Sequence, residues 1–293
     1  GEELAVIVNT ADDFEHLGLA ISPDIDTVLY TLGGRADKER GWGRADESWS
    51  FLSALGELGG ETWFKLGDGD LALHVLRTQA LRAGRTPTAI VADVARRFGI
   101  RSRILPMSDH PIRTIVETPE GDLPFQRYFV ERRCAPEVLG TRFDGASEAR
   151  ASAQVRESLE APGLRAIVIC PSNPYLSVDP ILATPTIREL IEAAQAPVVA
   201  VSPIIGGAAI KGPTTKIMRE LGVPATSRAI ARHYRGLING LIIDEADAAE
   251  RDLAEIAVKV ARTLMQNDAD RDRLAGEALA FADELARKAK VAS

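Results

Sequence analysis

Four short runs of this chain are apolar without a break: residues 4–8 (LAVIV), 166–170 (AIVIC), 197–201 (PVVAV) and 241–243 (LII). A strand with one wet face alternates polar and apolar residues, so unbroken Val/Ile runs mark strands covered on both faces, as in parallel sheets. Amphipathic stretches long enough for crossover helices lie between them. The chain therefore reads as α/β, a doubly wound, mostly parallel Rossmann-like sheet. Thr86-Pro87 and Thr184-Pro185 mark helix starts, each an N-cap hydroxyl followed by a proline whose missing N–H is not needed. Residues 113–117 and 124–130 are strand-like and flank the turn cluster Thr118-Pro119-Glu120-Gly121-Asp122, a hairpin pattern. From residue 249 onward the pattern predicts two charged amphipathic helices. The expected organisation is a single domain over residues 1–293, with a helical insertion at about 35–100 and a β-hairpin region at about 103–132.

Charge and composition exclude several classes. With 35 Lys+Arg against 42 Asp+Glu the net charge is −7, and no basic cluster offsets it, which argues against nucleic acid as the main partner. A hydrophobic fraction of 45% provides for a packed core and argues against a disordered chain. The longest apolar stretch, 196–210, is broken by Pro203, Gly206 and Gly207 and falls short of the roughly 20 residues of a membrane helix. With no charged leader ahead of an apolar run, the expected location is the cytoplasm. Cys134 and Cys170 fit no zinc spacing and read as reduced thiols.

In open α/β sheets, ligands bind beyond the carboxyl ends of the strands. Asn9-Thr10-Ala11-Asp12-Asp13 follows the first run, and Ser22-Pro23-Asp24-Ile25-Asp26 comes soon after. Four carboxylates so close together repel one another unless a cation lies among them, and Mg²⁺ takes such oxygen ligands. The alternative is a solvated loop in which Asp24 or Asp26 caps a helix. Lys65-Leu66-Gly67-Asp68-Gly69-Asp70 formally matches a dinucleotide-binding glycine pattern, but its acids would repel a pyrophosphate. Ser172-Asn173-Pro174 with Ser177, and Ser202-Pro203-Ile204-Ile205-Gly206-Gly207 with Lys211, combine small, hydroxyl and glycine residues that let backbone N–H groups approach a phosphate. Asp244-Glu245-Ala246-Asp247 resembles the acidic helicase motif, yet no phosphate loop accompanies it. His16 and His74 lie nearest the acidic motifs and read as partly exposed structural residues.

In order along the chain, Asn9 to Asp13, Ser22 to Thr27, Lys65 to Asp68, Leu105-Pro106-Met107-Ser108-Asp109, Pro171 to Pro174 and Ser202 to Gly206 resemble the 2-phospho-L-lactate transferase (CofD) family over nearly the whole chain. The resemblance implies a Mg²⁺-dependent, commonly dimeric enzyme of deazaflavin coenzyme F-420 biosynthesis. Such an enzyme moves a phospho-hydroxyacid unit from a guanylyl diphosphate-linked donor to the deazariboflavin Fo and releases GMP. It further implies Asp12, Asp13, Asp24 and Asp26 as metal ligands, with Asp26 and Asp13 catalytic. Asp26, Lys65, Gly67 and Asp68 would meet the deazaflavin. Asn9, Ser172, Asn173, Pro174, Ser177, Ser202, Pro203, Ile204, Gly206 and Gly207 would hold the nucleotide. Family members open with a strand and a glycine-rich turn, which is expected ahead of Gly1. Related regulatory proteins that bind nucleotide sugars form an alternative class, but their Asp-Asp pair continues with Gly-Gly-Ser-Ser-Gly-Arg-Leu-Arg where this chain has Phe14-Glu15-His16-Leu17-Gly18.

Overall fold

The computed structural model describes residues 3–210, 212–253 and 256–292. They form two compact units. The first takes the chain up to Pro136 with Gly140–Val155 and Ala183–Pro185, and the second takes Glu137–Leu139, Arg156–Leu182 and the chain from Thr186 onward.

In the first unit, strand Ala5–Val8 pairs in parallel with Arg103–Pro106. Helices Pro23–Leu32 and Pro87–Arg97 bury Ile25, Leu29, Val91 and Ala95 against Val8 and Ile104. The apolar positions recur at helical spacing, so each helix turns one stripe to the strands. The second of these helices starts as expected, with Thr86 Oγ1 accepting from Ala89 N at 3.2 Å. The hydroxyl of Thr184 is instead buried without a hydrogen-bond partner among the described residues. A short hairpin joins Phe14–His16 to Leu19–Ile21 through Leu17 (φ 53°) and Gly18 (φ 71°). Two left-handed residues in succession give the tight turn that suits strand twist.

The expected hairpin pairs Arg113–Thr118 with Gly121–Pro124, and Gly140–Asp144 adds a third antiparallel strand. The strand pattern expected over 124–130 does not hold, because strand structure ends at Pro124 and Arg127–Glu131 is a π-helical turn. Phe125 and Tyr128 are both buried, and a strand would send residues three apart to opposite faces. The turn also lets Gln126 Nε2 donate to Asp12 O at 3.1 Å.

In the second unit, four parallel strands lie in the order Ala257–Ala261, Gly240–Asp244, Val198–Val201, Ile167–Ile169. The two central strands are buried along their length, as their unbroken apolar runs require. Helix Asp268–Ala292 covers one face with Leu274, Ala278, Phe281 and Ala282. Gly240 allows this close approach, since a Cβ there would lie 2.6 Å from Phe281 Cε1. Among the described residues the chain after 249 thus holds one strand and one helix where two helices are expected. The alternation around Val258 and Val260 is long enough only for an edge strand. Among the described residues no helix is long and apolar enough to cross a membrane.

Candidate active site

The loop after Ala5–Val8 is built around Asn9. Its side-chain Oδ1 accepts from Ala11 N at 2.9 Å, closing an Asx turn. Its amide nitrogen donates to Asp12 Oδ2 at 3.0 Å and to Asp24 Oδ2 at 3.1 Å, which joins the loop to the first turn of the following helix. Ser22 precedes that helix but does not cap it with its hydroxyl. It donates instead to Asp13 Oδ2 at 2.8 Å. Asn9, Thr10, Asp12, Ser22 and Asp26 are buried, and Asp13 and Asp24 are half-buried. Among the described residues, three buried oxygens, Thr10 Oγ1, Asp12 Oδ1 and Asp13 Oδ1, have no partner within hydrogen-bond distance, although the Thr114 hydroxyl lies near enough to Asp12 to favour its charged form.

Burial dominates the electrostatics. It pushes Asp12 well above the usual carboxylate range, with the Asp24 charge adding to the effect. It raises Asp13 to about 7, against the pull of Ser22 and Arg77, and Asp24 to about 6, against the Asn9 amide. A group of carboxyls that resists ionisation and has bare oxygens is under-compensated by the protein itself.

Beneath the loop lies a second, better satisfied network. Arg77, on helix Asp68–Arg82, donates from both terminal nitrogens to the two oxygens of Asp26, at 3.1 Å for Nη1, and Nη1 also reaches Ala20 O at 3.3 Å. His74 lies one turn earlier on the same face, with Nδ1 3.3 Å from Arg77 Nη1 and Nε2 3.4 Å from Asp70 Oδ2. The Tyr30 hydroxyl donates to Asp70 Oδ1 at 2.5 Å. Burial raises Asp26 despite Arg77 and His74. Among the described residues, the tight grouping of potential metal ligands is Asp26, Asp70 and His74, within 4.8 Å of one another. It is not the set of four aspartates, and Arg77 already supplies its positive charge. Both His16 and His74 are buried, not partly exposed.

A cleft of about 370 Å³ opens beside the acidic loop, with Thr10, Asp13, Ser22, Arg77, Asp109 and Arg113 in its wall. Asp109, from the Leu-Pro-Met-Ser-Asp segment, accepts from Thr88 N at 2.8 Å and so satisfies a free amide of helix Pro87–Arg97. Lys65 is exposed and Gly67 is the N-cap of helix Asp68–Arg82. That helix start is occupied by protein acid, since Gly69 N donates to Glu47 Oε2 at 2.7 Å, in keeping with the poor phosphate site its sequence suggests. Asp68 accepts from Ser48 Oγ at 2.6 Å and from the amides of Ser50 and Phe51 at 3.1 Å, fixing the start of helix Ser50–Glu57.

In the second unit, Asn173 Oδ1 caps the π-helical turn Pro174–Val178, accepting from Tyr175 N at 3.0 Å and Leu176 N at 3.3 Å. Its Nδ2 is buried and has no partner among the described residues. Ser172 is exposed, Pro174 is buried and Ser177 is half-buried within that turn. Ser202 is buried, 2.9 Å from Ser227 Oγ, and accepts from Ile204 N at 3.2 Å across Pro203. Ile204–Ile205 pairs with Ala208–Ala209 around Gly206 (φ 58°) and Gly207 (φ 75°), a turn that other residues would strain. Gly206 N donates to Asp247 Oδ2 at 3.0 Å, so the helicase-like acid serves as an internal anchor for this turn. Lys211 lies outside the described residues.

The sequence profile of 2-phospho-L-lactate transferase CofD matches residues 1–282. A 2-phospho-L-lactate transferase of Methanosarcina mazei is 41% identical over 249 residues, covering 85% of this chain and 81% of that protein. A phosphoenolpyruvate transferase of Kitasatospora aureofaciens is 40% identical over 293 residues, covering 97% and 91%. A solved protein from Bacillus halodurans superposes with TM-score 0.61 at 16% identity, over 94% of this chain and 91% of that one, which speaks for the fold alone. The profile match and these identities make the chain a member of the 2-phospho-L-lactate transferase CofD family, a family of transferases.

Proposed function

We propose that the protein transfers a phospho-hydroxyacid unit (phospholactyl, phosphoenolpyruvyl or phosphoglyceryl) from a guanylyl diphosphate-linked donor to Fo, releasing GMP, in coenzyme F-420 biosynthesis. The observation that carries this reading is the set of bare, buried oxygens on Thr10, Asp12 and Asp13 beside a cleft that Arg77 and Arg113 also line. An all-oxygen donor set suits Mg²⁺, and Asp12 and Asp24, bridged by Asn9, with Asp13 adjacent, are the residues to hold it. When bound, the ion would offset charge on the diphosphate.

The chain's own residues do the rest. Asp13 lines the cleft, is oriented by Ser22, and accepts the proton of the Fo ribityl hydroxyl as its oxygen attacks the phosphorus bearing the acid. The phosphorus–oxygen bond to GMP breaks as the new one forms. Arg77 fixes Asp26 and with it the first helical turn that carries Asp24. The exposed Lys65 offers a cation to the polar deazaflavin ring, next to the turn that Gly67 and Asp68 form. In the second unit, the Asn173 amide, buried and without a partner among the described residues, is a donor reserved for the nucleotide, beside Ser172, Pro174 and Ser177.

Incubation with Fo, each of the three donors and Mg²⁺ is expected to yield GMP and a new, negatively charged deazaflavin on chromatography. Nucleotide binding without either product would sink the reading in favour of a regulatory binder. A second expectation concerns the metal itself. Asp12 and Asp24 must give up protons to ligate, so Mg²⁺ is expected to raise the unfolding temperature more at pH 8 than at pH 5. At a hundred times its Kd the gain at pH 8 is about 2.7 kcal/mol. An equal shift at both pH values would place the ion elsewhere.

A further inference from the structure

Three arginines, Arg77, Arg85 and Arg113, line the cleft together with His110. Arg77 is committed to Asp26, and Arg85 Nη2 lies 2.6 Å from Asp93 Oδ2. The His110 ring faces Ser108 Oγ at 3.3 Å. Arg113 differs from all three. It is exposed, its Nη1 donates to the neighbouring Ile112 O at 2.7 Å, and among the described residues no carboxylate forms an ion pair with it. A guanidinium that opens into a cleft with no carboxylate at ion-pair distance is suited to an incoming anion, and its planar fork matches a carboxylate in two parallel bonds.

Resting on the transfer reading above, we propose that Arg113 binds the carboxylate of the transferred acid and selects donors that carry one. In the phospholactyl and phosphoenolpyruvyl donors the carboxylate is separated from the reacting phosphorus only by the ester oxygen and one carbon, and in a phosphoglyceryl donor by one carbon or two. A group that holds the phosphorus at Asp13 must therefore leave the carboxylate in the same cleft. Arg113 meets that condition, because it shares the cleft wall with Asp13 and its charge is felt there. All three acids named above carry this carboxylate, so Arg113 separates acid donors as a class from donors of simple alcohols.

The test uses the whole chain and two guanylyl diphosphate donors, one carrying lactate and one carrying propan-2-ol, in which a methyl replaces the carboxylate. Both are measured as Kd without acceptor and as kcat/KM with Fo. Arg113→Gln is expected to weaken the lactate donor about ten- to a hundredfold, the range of a charge-assisted hydrogen bond, and to leave the propan-2-ol donor unchanged. Arg113→Lys should recover part of the loss, as a point charge without the fork. Since Arg113 is exposed and begins strand Arg113–Thr118, its backbone pairing survives either change, and unfolding temperature checks this. Equal losses on both donors, or none, would overturn the proposal. A wild-type chain that forms no phosphodiester with any of the three acid donors would overturn the transfer reading and this inference with it, whereas transfer indifferent to Arg113 overturns the inference alone.

Discussion

Replacing Arg77 with methionine is expected to lower stability by about 3–5 kcal/mol, the cost of removing one partner from a buried ion pair. The substitution keeps most of the apolar stem but leaves Asp26, only 5% exposed, without the guanidinium that meets both of its oxygens. The Ala20 carbonyl and His74 Nδ1 lose a donor at the same time. The sign of the pH dependence follows from Asp26. Burial already raises it, and without Arg77 it rises further, so the variant keeps a proton on Asp26 at low pH and must ionise a buried acid as pH rises. The deficit relative to wild type is therefore expected to be smallest near pH 4 and to grow towards neutrality. Denaturant unfolding at pH 4.5 and pH 7.5 measures it. The double variant Asp26→Asn/Arg77→Met, which removes the orphaned charge, should regain a large part of the loss. A deficit under about 1 kcal/mol, or one independent of pH, would mean that the pair does not hold the helix turn under the acidic loop.

Much of the frame is legible in the sequence because burial on both faces leaves a local mark. The runs around Val198–Val201 and Gly240–Asp244 are continuous because those strands lie centrally in their sheet. Asn9 to Asp13 could be placed at a strand end for the same reason. What the sequence does not display is partnership. Arg77 lies in a helix of low apolar contrast, which by itself does not mark it as buried, yet Asp70, His74 and Arg77 follow one another at helical spacing on a single face. A polar stripe where an apolar one belongs is the available signal, and it identifies its partner, Asp26, only once the helices are packed. The four aspartates read as one group by proximity in sequence. The fold separates them by hydrogen bonding, with Asp12 and Asp24 meeting at Asn9, Asp13 turning to Ser22 and Asp26 to Arg77. Glycines show the same limit. Gly206 and Gly207 mark a turn correctly, but the carboxylate that fills the Gly206 amide comes from Asp247, far along the chain. The strand Ala257–Ala261 escapes a sequence reading because it is short and lies at a sheet edge, where one partner strand rather than its own pattern defines it.

Asp13→Asn is expected to move activity and stability in opposite directions. Asparagine keeps the shape and can still accept from Ser22, so the loop remains in place. It cannot take the proton of the attacking hydroxyl, and loss of a general base of this kind lowers turnover by about 10²–10⁴-fold. Stability follows from the raised pKa. Because Asp13 titrates near 7 in the folded chain and ordinarily near 3.8, the native state binds the extra proton between those values, and wild-type stability falls as pH rises through that window. Asparagine carries no such penalty. The variant should match wild type near pH 4 and exceed it at pH 8 in the absence of Mg²⁺, with each kcal/mol of relief read as about 2–4 °C in Tm. At Asp26, by contrast, removing the charge would also strand the buried Arg77 guanidinium, so loss of the partner outweighs the relief. Asp13 is thus expected to be a carboxyl that the fold tolerates at a cost and the reaction requires, the pattern of strained functional groups in stable frames. Undiminished turnover, or a Tm that drops at pH 8, would move the base away from Asp13 and leave the bare oxygens of Thr10 and Asp12 to be explained by the metal alone.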